Sequence, residues 1–161
     1  MTFNYHVIST LVEDKPGVLQ KVAGLLNRRG INIEGITVGK SEVEGLSRMI
    51  ITVHADEKGL EQVIKQLNKL VDVIKIKDIT KNAVKRELCL VKVNVPDTNA
   101  RAEIIQYTNI FRANIVDVCE ETLIIELTGD KEKINAFISL VEGFGIKKIS
   151  RTGLTAMSRG V

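Results

Sequence analysis

The apolar spacing of this chain changes period in a set order and then runs through the same order again. Alternation with a period of two marks a strand, and spacings of three and four mark one face of a helix. Residues 5–13 alternate, with Tyr5, Val7, Ser9 and Leu11 on one side and His6, Ile8, Thr10 and Val12 on the other. From Pro16 to Arg29, the residues Val18, Leu19, Val22, Leu25 and Leu26 form a helical stripe. Gly30 then stops the helix as a C′ glycine. Strands are predicted over 31–38 and 46–54 around a polar loop, followed by a helix over 57–70 and a strand over 71–79. After Lys81-Asn82-Ala83 the pattern restarts: strand 88–95, helix 99–112, hairpin strands 115–119 and 122–127, helix 131–141, strand 146–150. The order βαββαβ closes an antiparallel sheet with both helices on one face. The expected class is therefore α+β, two ferredoxin-like βαββαβ domains in tandem over residues 1–80 and 84–161. Residues 151–161 (RTGLTAMSRGV) form a tail with no periodicity of its own.

Composition narrows the function. The 161 residues carry 23 Lys+Arg against 20 Asp+Glu, and the basic residues cluster no further than pairs such as Arg28-Arg29 and Lys147-Lys148. A nucleic-acid surface needs a basic stripe with stacking aromatics. Four Phe, two Tyr and no Trp give no such platform, so no nucleic-acid partner is expected. No apolar run reaches the roughly 20 residues of a membrane span. The start MTFNYHVIST lacks a basic region followed by an apolar core, so neither a secretory signal nor a membrane partner is expected. Cys89 and Cys119 are isolated and read as reduced thiols of a cytoplasmic protein.

Catalysis finds no support in these residues. His6 and His54 lie in strands, with no nucleophile or carboxylate at a motif spacing, and read as packed or interfacial. No metal-ligand cluster is spaced for a site, and the glycines near Gly17 match neither a P-loop nor a dinucleotide fingerprint. Recognition remains. Asp14, Lys15, Pro16 and Gly17 precede the first helix, and Gly17 leaves its first amides open. Free amides at a helix N-terminus hold carboxylates or phosphates. The amides of Gly17 and Val18 suit the carboxylate of a free amino acid, Asp14 its ammonium, and Asn32 can donate and accept. The plainer alternative keeps Asp14 as an N-cap and Asn32 and Gly17 as turn residues. The second half has VPDTNA (95–100) in place of D-K-P-G and no glycine at the helix start, which points to one binding module and one structural module.

The run DKPGVL at 14–19, followed by RRGINIEGITV at 28–38, resembles an ACT domain, a small-ligand sensor of amino-acid metabolism. LSRMIITV (46–53), QLNKLVDV (66–73), VKRELCLVKV (84–93), NIFRANIVDV (109–118) and SRG (158–160) extend the likeness over essentially the whole chain. Together they resemble the small regulatory subunits of acetohydroxyacid synthase, also called acetolactate synthase. The resemblance implies a non-catalytic chain that holds no cofactor itself. Its catalytic large subunit would carry thiamine diphosphate, Mg²⁺ and FAD and condense two 2-keto acids toward valine, leucine and isoleucine. The small subunit would activate that partner and confer feedback inhibition, usually by valine, as a homodimer joined through its ACT domains. The family's effector contacts map onto Asp14, Lys15, Pro16, Gly17, Val18, Leu19, Asn32 and Ile33. Position 14 is usually Asn in the family, and Asp here would hold an ammonium and repel a carboxylate. Gly39, often Ala in relatives, leaves more room. The rival expectation is a stand-alone tandem-ACT sensor acting on another protein.

Overall fold

The structure, a computed structural model, describes residues 4–160. Its elements follow the predicted order: β1 (Asn4–Glu13), α1 (Val18–Arg28), β2 (Ile33–Lys40), β3 (Leu46–Ala55), α2 (Glu57–Leu67) and β4 (Val73–Asp78). Then come β5 (Ala83–Asn94), α3 (Thr98–Ile110), β6 (Asn114–Val118), β7 (Thr122–Gly129), α4 (Lys131–Val141), β8 (Ile146–Arg151) and β9 (Thr155–Ser158). The first sheet has the order β2-β3-β1-β4, and the second repeats it as β6-β7-β5-β8 with β9 as a fifth strand paired to β5. The neighbours along each four-strand order are antiparallel. Both repeats are thus ferredoxin-like, and the fold is α+β.

The chain divides into two compact units: one running through Val84 and resuming at Leu154, the other Lys85–Gly153. The sequence reading assigns 84–161 to the second domain, whereas the tail from Leu154 onward packs with the first. The reason is an apolar face left uncovered by the helices. In the first unit, α1 and α2 bury Ile8, Val12, Ile51 and Val53 on one side of the sheet. On the other side Val7 and Ile50 are closed over by Ile79, Leu154 and Ala156. Four residues of strand suffice for this cover, far too few to show a period.

The second unit packs α3 and α4 over its own sheet, with Val91, Ile104, Ile125, Ile134 and Phe137 fully buried. Its strand β5 sets the carboxylate of Glu87, only 6% exposed, against Arg151 of β8. Arg151 donates from Nε to Oε1 at 2.5 Å and from Nη2 to Oε2 at 2.8 Å. A two-pronged guanidinium satisfies a buried carboxylate in this way.

The expected helical stripe of α1 is narrower than its sequence indicates. Leu19 fits the apolar spacing yet is 44% exposed. The buried line of α1 is Val18, Val22 and Leu26, each four residues from the next, so Leu19 falls beside it.

Candidate functional site

The turn after β1 is pinned by backbone bonds at both shoulders. The Glu13 amide donates to the Asp72 carbonyl and the Asp14 amide to that of Gly45, both at 2.9 Å. Lys15 donates from Nζ to Glu13 at 2.8 Å, and this hydrogen bond holds its ammonium above the usual lysine range. Asp14, Lys15, Pro16 and Gly17 are all exposed. Gly17 adopts φ +86° at the N-cap of α1, a left-handed conformation that costs other residues about 1–2 kcal/mol. The helix consequently begins at Val18, and Pro16 belongs to the turn, not to the first helical position.

That start differs from those of the other three α-helices. Asp56 accepts from the Gly59 amide at 2.7 Å, Asp97 from Ala100 at 2.8 Å and Asp130 from Lys133 at 2.8 Å. No side chain caps α1, so the capping alternative for Asp14 does not hold. The Val18 amide leans on the Lys15 carbonyl at a long 3.4 Å, and the Lys21 amide is taken by Gly17. Among the described residues the amides of Gly17, Leu19 and Gln20 have no backbone acceptor, so Gly17 stays open and Leu19 and Gln20 join it, while the Val18 amide is partly taken. Val18 itself is a core residue, 3% exposed. In the second repeat Asp97 fills the equivalent position, which closes that helix start.

Asn32 lies just before β2 and is exposed, while Ile33 is half-buried against the helix-side core. Gly30, at φ +68°, ends α1 as expected, with its amide on Asn27 and that of Ile31 on Leu26. Glu34 occupies a bulge in the β2–β3 register and pairs with His54 Nε2 at 2.9 Å. His54 also meets the Tyr5 ring at a centroid distance of 5.6 Å. It is half exposed, with Glu34 and the Tyr5 ring beside it; His6, by contrast, is 7% exposed. The Glu34–His54 pair was not legible beforehand, since only the register brings position 54 beside 34.

The register also decides which candidates meet. Val53 pairs with His6 on one side and Ile33 on the other, whereas Ser47 pairs with Val12 and Lys40. Asn32 therefore sits at the end of the sheet where β1 begins, and Asp14–Gly17 at the end where β1 finishes. His6 to Val12 spans about 20 Å of strand. Helix α1, which joins the two groups, covers about 16 Å. One chain does not bring both groups to one small ligand.

Two family models together match nearly the whole chain: an AHAS small subunit-like ACT domain over residues 8–75 and the small subunit of acetolactate synthase over 86–160. A protein of Methanothermobacter thermautotrophicus named "Probable acetolactate synthase small subunit" is 62% identical over 96% of this chain and 93% of its own. The chain belongs to the acetolactate synthase small-subunit family. The acetolactate synthase small subunit of Mycobacterium bovis is 48% identical over 96% of this chain and 92% of its own. The crystal structure of the Thermotoga maritima acetolactate synthase small subunit superposes with a TM-score of 0.91 at 46% identity, covering 98% and 99% of the two chains.

Small subunits of acetolactate synthase are regulatory, and the partner that this family membership implies is the catalytic subunit. Among the described residues no group of His, Cys, Asp and Glu is placed to hold a metal ion. No helix there is long and apolar enough to cross a membrane. The two repeats of this small subunit differ at their first helix starts, uncapped at α1 and capped by Asp97 at α3.

Proposed function

We propose that this chain activates the catalytic subunit of acetolactate synthase and confers feedback inhibition by valine, bound where two copies join. One observation carries the reading: Gly17 and Asn32 lie at opposite ends of the same sheet. Strand β2 is an outer strand of that sheet, with its far edge unpaired among the described residues. Two such edges joined antiparallel bring the Asn32 end of one sheet to the Gly17 end of the other. The join also covers an otherwise open row of backbone donors and acceptors. A valine at each end then places its carboxylate on the open amides of Leu19 and Gln20 and its ammonium on Asp14. Asn32 and Ile33 arrive from the second copy, with Lys15, Pro16 and Leu19 around the rim.

Inhibition follows from differential affinity. Valine must bind the inhibited arrangement of the assembly more tightly than the active one, and the catalytic subunit in turn shifts valine affinity by the same factor. Thiamine diphosphate, Mg²⁺ and FAD reside in the large subunit in this reading, and this chain contributes no reacting group.

The test is calorimetric titration with valine of Asn32→Ala, Asp14→Lys and a mixture of the two refolded together. Each variant alone loses saturable binding. The mixed dimer regains sites, because one of its two ends keeps both native groups. A site contained within one chain would regain nothing, and that result rejects the bridged geometry. Activation of the large subunit and its reversal by valine are read in parallel; no change in either would favour a stand-alone sensor.

A further inference from the structure

The open face of the first sheet carries a groove beside β9. Its floor is Ser9 and Leu11, Arg48, Lys75 and Lys77 surround it, Met157 lies along the opposite wall, and the cavity measures about 560 Å³. The register explains the convergence. Leu11 pairs with Arg48 on one side and Lys75 on the other, and Ser9 pairs with Lys77. Directly paired residues share a face, so all three cations rise from the same side of the sheet. A second hollow of about 250 Å³ also borders Arg48 and Met157 and runs on to Thr37 and Lys40.

The charges do not balance. Glu42 is spent on Arg48, whose Nη2 donates to its two oxygens at 2.8 and 3.0 Å. Lys75 and Lys77, two residues apart on β4, are exposed and repel each other, and Glu42 is the single carboxylate among the described residues that line this groove. Thr37 Oγ1 is buried and has no hydrogen-bond partner among the described residues. Ser9 and Ser158 add hydroxyls to the lining. Lysine serves as a point-charge partner for phosphate. The aliphatic floor of Leu11 and Ile79 gives an organic portion somewhere to lie.

We propose that this groove is a second ligand site, for a small organic phosphate lacking an ammonium group. With Glu42 committed to Arg48, the described lining offers no second acid to receive an amino-acid ammonium, so the groove selects against valine. It shares no residue with the Asp14–Leu19 and Asn32–Ile33 set, so its fate is independent of the effector reading.

The experiment titrates the full chain with inorganic pyrophosphate at low salt, followed by calorimetry. Saturable binding is expected, about tenfold weaker in Lys75→Gln/Lys77→Gln, the combined loss of two exposed charge contacts. The control Lys92→Gln/Lys148→Gln removes a cross-strand lysine pair from the second unit and leaves binding unchanged. Absence of saturation, or equal weakening in both double variants, overturns the proposal. A hexaglutamate peptide that binds Lys75 and Lys77 more tightly than pyrophosphate also overturns it, because the face would then dock an acidic protein segment.

Discussion

Replacing Leu154 by Ala tests whether the tail is structural to the first unit. Successive strand residues face opposite ways, yet Val7 and Ile8 are both fully buried. Ile8 is covered by the helices, and Val7 by Ile79, Leu154 and Ala156. Leu→Ala in a core costs about 2–5 kcal/mol, depending on how well the site collapses. Leu154 retains 9% exposure at the rim of a small cluster, so the lower end, about 2 kcal/mol, applies. That is about a 30-fold smaller folding constant. Native-state hydrogen exchange reads each unit separately. Protection of the amides of Val7, which donates to Thr80 Oγ1 at 3.0 Å, and of Ile79 falls about 30-fold. Protection at Val91 and Ile125 of the second unit is unchanged. A drop shared equally by both units, or none at Val7, refutes the assignment of the tail.

Two further outcomes follow from the ion pairs. Glu87→Ala takes the two-pronged acceptor from Arg151, which keeps its bond to Asn135 Oδ1 at 3.0 Å and 30% side-chain exposure; the loss is about 2 kcal/mol, below the cost of breaking a fully buried pair, and a urea midpoint measures it. Glu87→Gln, which keeps the shape, loses less. Asp72 accepts from Lys21 Nζ at 2.7 Å, and that hydrogen bond lowers its carboxyl below the ordinary 3.8. A depressed folded-state value stabilises the fold above pH 3.8 and loses that contribution as pH falls through the folded value. A carboxyl-carbon NMR titration of Asp72 gives an apparent pKa below 3.8, and Lys21→Gln moves it back up.

Much of the fold is legible because it is written in local periods. The stripe Val18, Val22 and Leu26, the φ +68° stop at Gly30 and the helix over Lys131–Val141 each depend on neighbours within one or two turns. The contrast between the two helix starts was legible in part. The sequence distinguishes D-K-P-G from VPDTNA, but the capping bond from Ala100 to Asp97 had to be seen. Proline tolerates the first helical position, so the spacing predicts a start at Pro16, whereas the left-handed φ of Gly17 defers the helix to Val18.

By itself, then, the sequence determined the element order, the doubled ferredoxin-like pattern and the family, since each rests on short-range spacing or on an ordered series of motifs. Tertiary structure decided the rest. It alone put Leu154 against Val7, Glu34 against His54, Arg151 against Glu87, and Asn32 at the far end of the sheet from Gly17. These pairings join residues far apart along the chain through strand register, and a register is a property of two strands that neither carries alone.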